Sequence, residues 1–364
     1  MRGGAQARGF YPGGMEQRTL GQSPLSVSVF GLGTMTFGAE ADEAISHGIL
    51  DRYVAAGGSF IDTADVYSAG VSEEIIGRWL ADRGRRDDIV LASKGRFPIG
   101  PESSAGAGRT YLTGAIDASL RRLGVDTIDL YQVHAWDQAA DLDDTLEALN
   151  EFVVAGKARA VGVSNYTGWQ LQRAVSRCRE LGLTPLASLQ PQYNLLGRQI
   201  ESEILPVCIE EGLGVLPWSP LAGGWLTGKY AATERPIGAT RLGEDPARGI
   251  EAYDLRNHPT TWRVLEVVDS IASSRGATMA QVALNWLRER PAVSSVLLGA
   301  RSVAQLDDNL AALEWSLTPE ENQRLTEASA PGMPLYPHGF LEAYAGVQVW
   351  NELGYRTEPP PFGR

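Results

Sequence analysis

Cysteine is nearly absent from the chain: Cys178 and Cys208 are the only two in 364 residues, and their spacing suits neither a metal centre nor a redox pair. Both read as small buried apolar residues in a reducing, cytoplasmic protein. Positive charge is the minority, with 32 Lys and Arg against 44 Asp and Glu, and no basic stripe stands out. A net charge of −12 repels nucleic acid, and an anionic ligand must find local cations. No apolar run approaches the ~20 residues that cross a bilayer, so no membrane span is expected. The first fourteen residues, MRGGAQARGFYPGG, lack the apolar core of a signal peptide. They read as a disordered extension, 1–14, before a single domain at 15–364, with Met15 as an alternative start. Also missing is a complete dinucleotide loop. Gly31 and Gly33 begin a G-x-G, but Thr36 stands where the third glycine belongs.

What is present is a series of eight short apolar runs, each bounded by a turn signal and most followed by a helical pattern. They cover Ser28 to Thr34, Ser59 to Ala64, Ile89 to Lys94, Thr127 to His134, Ala158 to Asn165, Ala187 to Asn194, Leu213 to Pro220 and Val293 to Ala300. The first seven recur about every thirty residues, the period of a strand–helix unit. Between them, Thr110 to Leu123 carries an apolar stripe of Ile116, Leu120 and Leu123 and stops at Gly124. Asp141 to Val154 repeats the scheme with Leu142, Thr145, Leu146 and Leu149. The pattern predicts a closed (β/α)8 TIM barrel rather than an open doubly wound sheet, whose nucleotide loop is missing. Ahead of it, Glu16 to Leu20 and Leu25 to Ser28 predict a β-hairpin about Gly21 to Pro24. A long loop, Ala231 to Pro259, follows strand 7, and a C-terminal tail beyond Pro331 is expected over the active-site face.

Four polar residues close strand-like runs: Asp62 and Tyr67 in IDTADVY, Lys94 after VLAS, and His134 after YQV. A parallel barrel delivers strand ends to one rim, where they can act together. Reducing a carbonyl puts negative charge on its oxygen, which then needs a proton and hydrogen bonds. Tyr67 supplies the proton in this reading. A free phenol, with a pKa of about 10, is too weak an acid at neutral pH, and a cation beside it brings it down by ~1–3 pH units. Lys94 is that cation, Asp62 keeps it charged, and His134 donates a hydrogen bond to the substrate. No metal is needed. Taken singly, each has a plainer reading as a helix cap, a rim aromatic or a core histidine. Lys94 is the exception, because a cation at the end of an apolar strand wants a partner.

From about Glu16 to Ala330 the chain resembles the aldo-keto reductases. The resemblance rests on GLGTMTFG at 31–38, IDTADVY at 61–67, Lys94, YQVHAWD around His134, GVSN at 162–165, QPQYN at 190–194, WSPLAGGWLTGKY at 218–230 and LLGARSVAQLDDN at 297–309. It implies a barrel oxidoreductase using NADP(H), with the hairpin closing the barrel bottom. It places Gly33, Thr34, Met35 and Asp62 near the nicotinamide end and Ser164, Asn165 and Gln190 on the carboxamide. Trp218 would stack on the nicotinamide. Ser219, Leu221, Gly223 and Lys229 would wrap the pyrophosphate. Gly299, Arg301, Gln305, Asp308 and Asn309 match the adenosine segment, Arg301 and Gln305 facing a 2′-phosphate. Asp308 stands where the family often has Glu.

Phe37, Tyr67, Phe97, His134, Trp136 and Tyr336 are expected to wall the substrate pocket, with Arg96 or His338 available to an anionic group. The resemblance implies a small-molecule carbonyl substrate, an aldehyde or ketone of sugar or natural-product type, and leaves oligomeric state open. Two other classes stay open: a cofactor-binding, redox-sensing partner protein like the channel subunits of this family, and a barrel lyase using Lys94 as a Schiff base.

Overall fold

The computed structural model describes residues 9–10, 14–100, 104–238, 240–245, 247, 249–332 and 335–345. Three short strands come first, β1 (Gly9–Phe10), β2 (Glu16–Thr19) and β3 (Ser26–Ser28), paired antiparallel in that order. β2 and β3 are the hairpin read from the sequence. Of the expected 1–14 extension, residues 1–8 and 11–13 lie outside those described, and Gly9 and Phe10 add the third strand.

Eight parallel strands follow: β4 (Phe30–Gly33), β5 (Phe60–Asp62), β6 (Val90–Gly95), β7 (Ile128–Val133), β8 (Ala158–Ser164), β9 (Leu186–Gln190), β10 (Gly214–Val215) and β11 (Val296–Gly299). Each falls inside or across a run predicted above. Their order runs β10-β9-β8-β7-β6-β5-β4-β11. Val215 also bridges to Val293, and the Leu297 amide donates to the Pro217 carbonyl at 3.0 Å, which joins the two ends into a ring. This is the (β/α)8 barrel.

Helices pack outside the ring as the periodicity dictates. The helix Arg109–Leu123 buries Leu112, Ile116 and Leu123, and Gly124 ends it in the left-handed conformation. Asp141 caps the helix Leu142–Val154, its carboxylate accepting from the amides of Asp143 and Asp144. The insertion after β10 is more ordered than the loop expected: short helical turns occupy Arg241–Glu244, Gly249–Glu251 and Tyr253–Arg256. Its glycines and charges hide them from a periodicity search. Of the C-terminal tail, 346–364 lie outside the described residues.

Inside the ring, one residue from most strands fills the lower layer: Phe60, Ala92, Leu130, Ala160, Ala187, Leu216 and Leu297. The three alanines leave space that Leu20, Leu25 and Val27 of the hairpin fill from below. Gly21 makes this possible. It has φ 56°, and a Cβ there would stand 2.3 Å from the Ala187 carbonyl oxygen, so only glycine lets the turn wedge into the barrel floor. Arg18 locks the hairpin by donating to the carbonyls of Arg288 (2.6 Å) and Val293 (3.0 Å). Among the described residues, no helix is long and apolar enough to cross a membrane.

Candidate active site

Side chains alternate along a strand, so a residue two positions beyond an interior one points into the same interior, one layer higher. Phe60 leads to Asp62, Ala92 to Lys94, Leu130 to Gln132 and then His134, Ala160 to Ser164, and Leu216 to Trp218. The apolar layer thus carries a polar one at the rim where the strands end, open to solvent only from above.

In that layer Lys94 is fully buried and Asp62 nearly so. The Lys94 ammonium donates to Asp62 Oδ2 (2.7 Å), to the Thr63 carbonyl (2.7 Å) and to the Tyr67 hydroxyl (3.3 Å). Burial alone pulls the ammonium down, but Asp62 and Tyr67 outweigh it and hold Lys94 above its ordinary value. The His134 ring stands edge-on to Tyr67 (centroids 5.9 Å) and to Phe97 (4.8 Å). Burial, then the charges of Lys94 and Arg96, push the imidazole well below its usual pKa, so it is neutral at physiological pH. Tyr67 departs from expectation. Burial raises its phenol above the ordinary value, and Lys94 offsets only part of that. Sequence shows the cation but not how dry the phenol is. Tyr67 opens a tight turn in which Ser68 and Ala69 have φ 50° and 55°, strained values for non-glycine residues that fix the ring beside the barrel mouth.

A hydrogen-bond chain links the four to the expected nicotinamide residues. Gln190 donates from Nε2 to Asp62 Oδ1 (2.8 Å), and its carbonyl accepts the Ser164 hydroxyl (2.7 Å). Asn165, at φ 57°, donates to Ser164 Oγ (3.0 Å) and the His134 carbonyl (2.9 Å), and accepts from Trp218 Nε1 (3.0 Å). Gly33 is the register partner of both Asp62 and Gly299. Thr34 is fully buried, and both its hydroxyl and its amide donate to the Asp62 carbonyl (3.0 Å each); Met35 beside it is exposed.

At the other end, Ser219, Ala222, Gly223 and Gly224 all have positive φ, turning the chain after β10 into a cradle with Leu221 among them. Lys229 sits beside it over the Tyr230 ring. Burial lowers the Lys229 ammonium, and the charges of Arg301 and Arg241 lower it further, so three cations converge there. Arg241, inside the insertion, was missed in the sequence; a lone arginine among mixed charges has no periodic signal. Carboxylates attend this cluster. Glu40 lies 3.4 Å and Glu244 3.8 Å from Arg301, and Glu251 accepts the Ser219 hydroxyl at 3.3 Å. Gln305 accepts the Arg301 amide through Oε1 (2.9 Å) at the start of the helix Val303–Leu310. Asp308 is engaged by Gln281 Nε2 (2.8 Å) and Thr278 Oγ1 (3.3 Å), while Asn309 is buried. Gln132, which reaches Asp62 Oδ1 at 3.5 Å, was also missed, though its place two residues before His134 marks it as inward.

The expected pocket walls divide. Phe97 stands against His134. Phe37 is fully buried in the outer core and presents no surface to a substrate, because the chain after β4 folds back through the Phe37–Ala41 bridge. Trp136 packs edge-on against Tyr166 (5.1 Å) and Trp169 (5.5 Å). Tyr336 is 78% exposed, and His338 lies 3.8 Å from Glu203. Arg96 remains at the mouth, 3.9 Å from Asp137, its Nε buried and without a hydrogen-bond partner among the described residues.

The profile of the Aldo/keto reductase family matches residues 29–330. Norsolorinic acid reductase B of Aspergillus parasiticus is 33% identical over 350 residues, 92% of this chain and 89% of that protein. A probable voltage-gated potassium channel subunit beta of Oryza sativa subsp. japonica is 35% identical over 315 residues, 84% of this chain and 94% of that protein. The aryl-alcohol dehydrogenase [NADP(+)] of Phanerodontia chrysosporium is 33% identical over 311 residues, covering 82% and 78%. With barrel, rim chemistry and sequence in agreement, this chain belongs to the aldo/keto reductase family.

Proposed function

We propose that the protein reduces an aldehyde or ketone to the alcohol with NADPH, Tyr67 acting as the general acid. The observation that carries this is Lys94, held fully buried between the Asp62 carboxylate and the Tyr67 hydroxyl. A buried ammonium so placed steadies the tyrosinate that forms as the phenol gives up its proton. A bound reduced nicotinamide supplies the hydride. Neutral His134 offers a ring N–H to the carbonyl oxygen without bringing a second cation to the site.

The residues present fit the cofactor. Ser164, Asn165 and Gln190 offer amide and hydroxyl groups to a carboxamide, and Trp218 offers a ring face. The cradle at Ser219, Leu221 and Gly223 and the cations Lys229, Arg241 and Arg301 suit phosphates, and Gly299, Gln305, Asp308 and Asn309 border an adenosine. NADPH is preferred over NADH because Arg301 can make charge-assisted bonds to a 2′-phosphate, each worth roughly 1.5–3 kcal/mol. Arg96 favours a substrate with an anionic or strongly polar substituent near the carbonyl. The buried thiols Cys178 and Cys208 suit a cytoplasmic setting. The similarity to the aryl-alcohol dehydrogenase of Phanerodontia chrysosporium makes aryl carbonyl compounds the first to try. Loss of NADPH absorbance across a panel of aromatic, aliphatic and sugar carbonyls is the test; turnover of none, with NADPH bound, would contradict the proposal.

A further inference from the structure

Behind the tetrad lies a polar cluster that this reaction leaves without a task. Asp65, three residues after Asp62 and two before Tyr67, is fully buried, and its carboxyl oxygens have no side-chain hydrogen-bond partner among the described residues, only the Val66 amide beside them. Its amide donates to the Lys94 carbonyl (3.0 Å), which fastens it to β6 at the level of the site. Lys94 points into the barrel, so position 95 faces the helices. A Cβ on Gly95 would stand 2.4 Å from the Tyr131 hydroxyl, 3.1 Å from Ala115 and 3.4 Å from Asp65 Oδ2. The missing side chain lets the Tyr131 hydroxyl, which is buried and unpartnered among the described residues, and the Asp65 carboxyl close in on the same spot of β6. That spot lies across β6 from the Lys94 side chain.

Of the charged and titratable groups facing Asp65, Glu73 comes from the helix Val71–Arg83, Arg122 and Tyr111 from Arg109–Leu123, Lys94 from β6, Tyr131 from β7 and Tyr67 from its own loop. Glu73 is fully buried, pairs with Arg122 at 2.7 Å and accepts the Ser93 hydroxyl at 2.5 Å. Two buried carboxyls therefore share one guanidinium, and Glu73 holds it. A second bare carboxylate in that space costs more than a neutral acid. Burial, followed by the charge of Glu73, pushes the Asp65 carboxyl up to about 7.

We propose that Asp65 is the proton-bearing member of this carboxyl pair and a positioning residue for the tetrad: neutral, it leaves Tyr67 able to give up its proton, and ionised, it holds that proton on the phenol. The inference rests on Tyr67 as general acid. Its physical basis is like-charge repulsion, since an anion at Asp65 opposes the tyrosinate forming two residues along the chain. Within the working range no tetrad group mimics the effect, because His134 titrates well below neutrality and the buried Tyr67 above its ordinary value.

The test is the rate of carbonyl reduction, with NADPH and substrate saturating, from about pH 6 to about pH 9. The wild type should slow by about three- to tenfold through one ionisation near neutrality, the size expected of one charge acting through a partly polar interior. The Asp65→Asn profile should lack that step. Glu73→Gln removes a negative neighbour and frees Arg122, so the step should move to lower pH by about one unit. A flat wild-type profile, an unmoved step in Glu73→Gln, or a wild-type step persisting in Asp65→Asn would each overturn the proposal. A tyrosinate absorbance titration, corrected with Tyr67→Phe, reads the same coupling without turnover. Asp65→Asn should ionise Tyr67 at lower pH, and no shift would sink the proposal whatever the enzyme's substrate. Absence of turnover in a wild type that binds NADPH would strike the functional reading instead.

Discussion

Lys94 and Asp62 stand on neighbouring strands, buried, and meet at 2.7 Å; Arg301, Arg241 and Lys229 stand on loops and insertion, with Arg301 reaching its carboxylates only at 3.4 and 3.8 Å. One end of the site is a fixed constellation in which the Lys94 ammonium and both Asp62 oxygens are spent on neighbours. The other is a cluster of like charges, loosely countered by Glu40 and Glu244. The difference matches the roles proposed for the two ends. Proton transfer depends steeply on distance and tolerates little slack, whereas holding phosphate requires charge that can close on its ligand. Substitutions at the first end should therefore change rate without changing cofactor affinity, and those at the second the reverse.

The largest effect is expected for Lys94→Met. Steady-state reduction should fall by about 10²–10⁴, the usual worth of a positioned acid, while NADPH affinity by calorimetry stays near wild type. The same variant strands Asp62 as a buried unpaired carboxylate, so urea unfolding should show a loss of roughly 3–5 kcal/mol. A large rise in the NADPH Kd would break the division between the two ends. Next comes Arg301→Ala. Its NADPH Kd should rise by about tenfold or more, from loss of charge-assisted bonds, with NADH binding and kcat little changed. Equal weakening of NADH would show that Arg301 supports the loop rather than reading the 2′-phosphate. The smallest effect is expected at Glu244, whose exposed pairing with Arg301 would compete with the proposed phosphate. Glu244→Gln should tighten NADPH by about two- to fivefold, within the worth of a surface ion pair, most visibly at low salt. Looser binding would mean that Glu244 orients Arg301 instead.

The same division governs what could be read in advance. The placement of the tetrad was legible because one signal carries both strand and end: an apolar strand that stops at Asp62, Lys94 or His134 names the strand and the polar side chain at its rim. The hairpin was legible for a similar reason, Gly21 and Pro24 punctuating two alternating runs. The phosphate end showed only where resemblance supplied it, and Arg241 escaped because nothing local distinguishes one charge in an irregular insertion from another. Phe37 and Trp136 were read as pocket walls because an aromatic after a strand end can face either way. Tertiary packing decides, and it sends Phe37 into the outer core while Trp136 rests against Trp169. The direction of the Tyr67 shift lay beyond sequence altogether, since it depends on how much water the folded rim excludes.

The central claim, that a phenol backed by a buried Lys–Asp pair delivers the proton, is tested most directly by Tyr67→Phe. That change removes one oxygen and keeps the ring against His134. Reduction of a carbonyl substrate should fall by about 10²–10⁴ while NADPH binding, followed by fluorescence, is preserved. Near-normal turnover by Tyr67→Phe, with the fold and cofactor site intact, would contradict it.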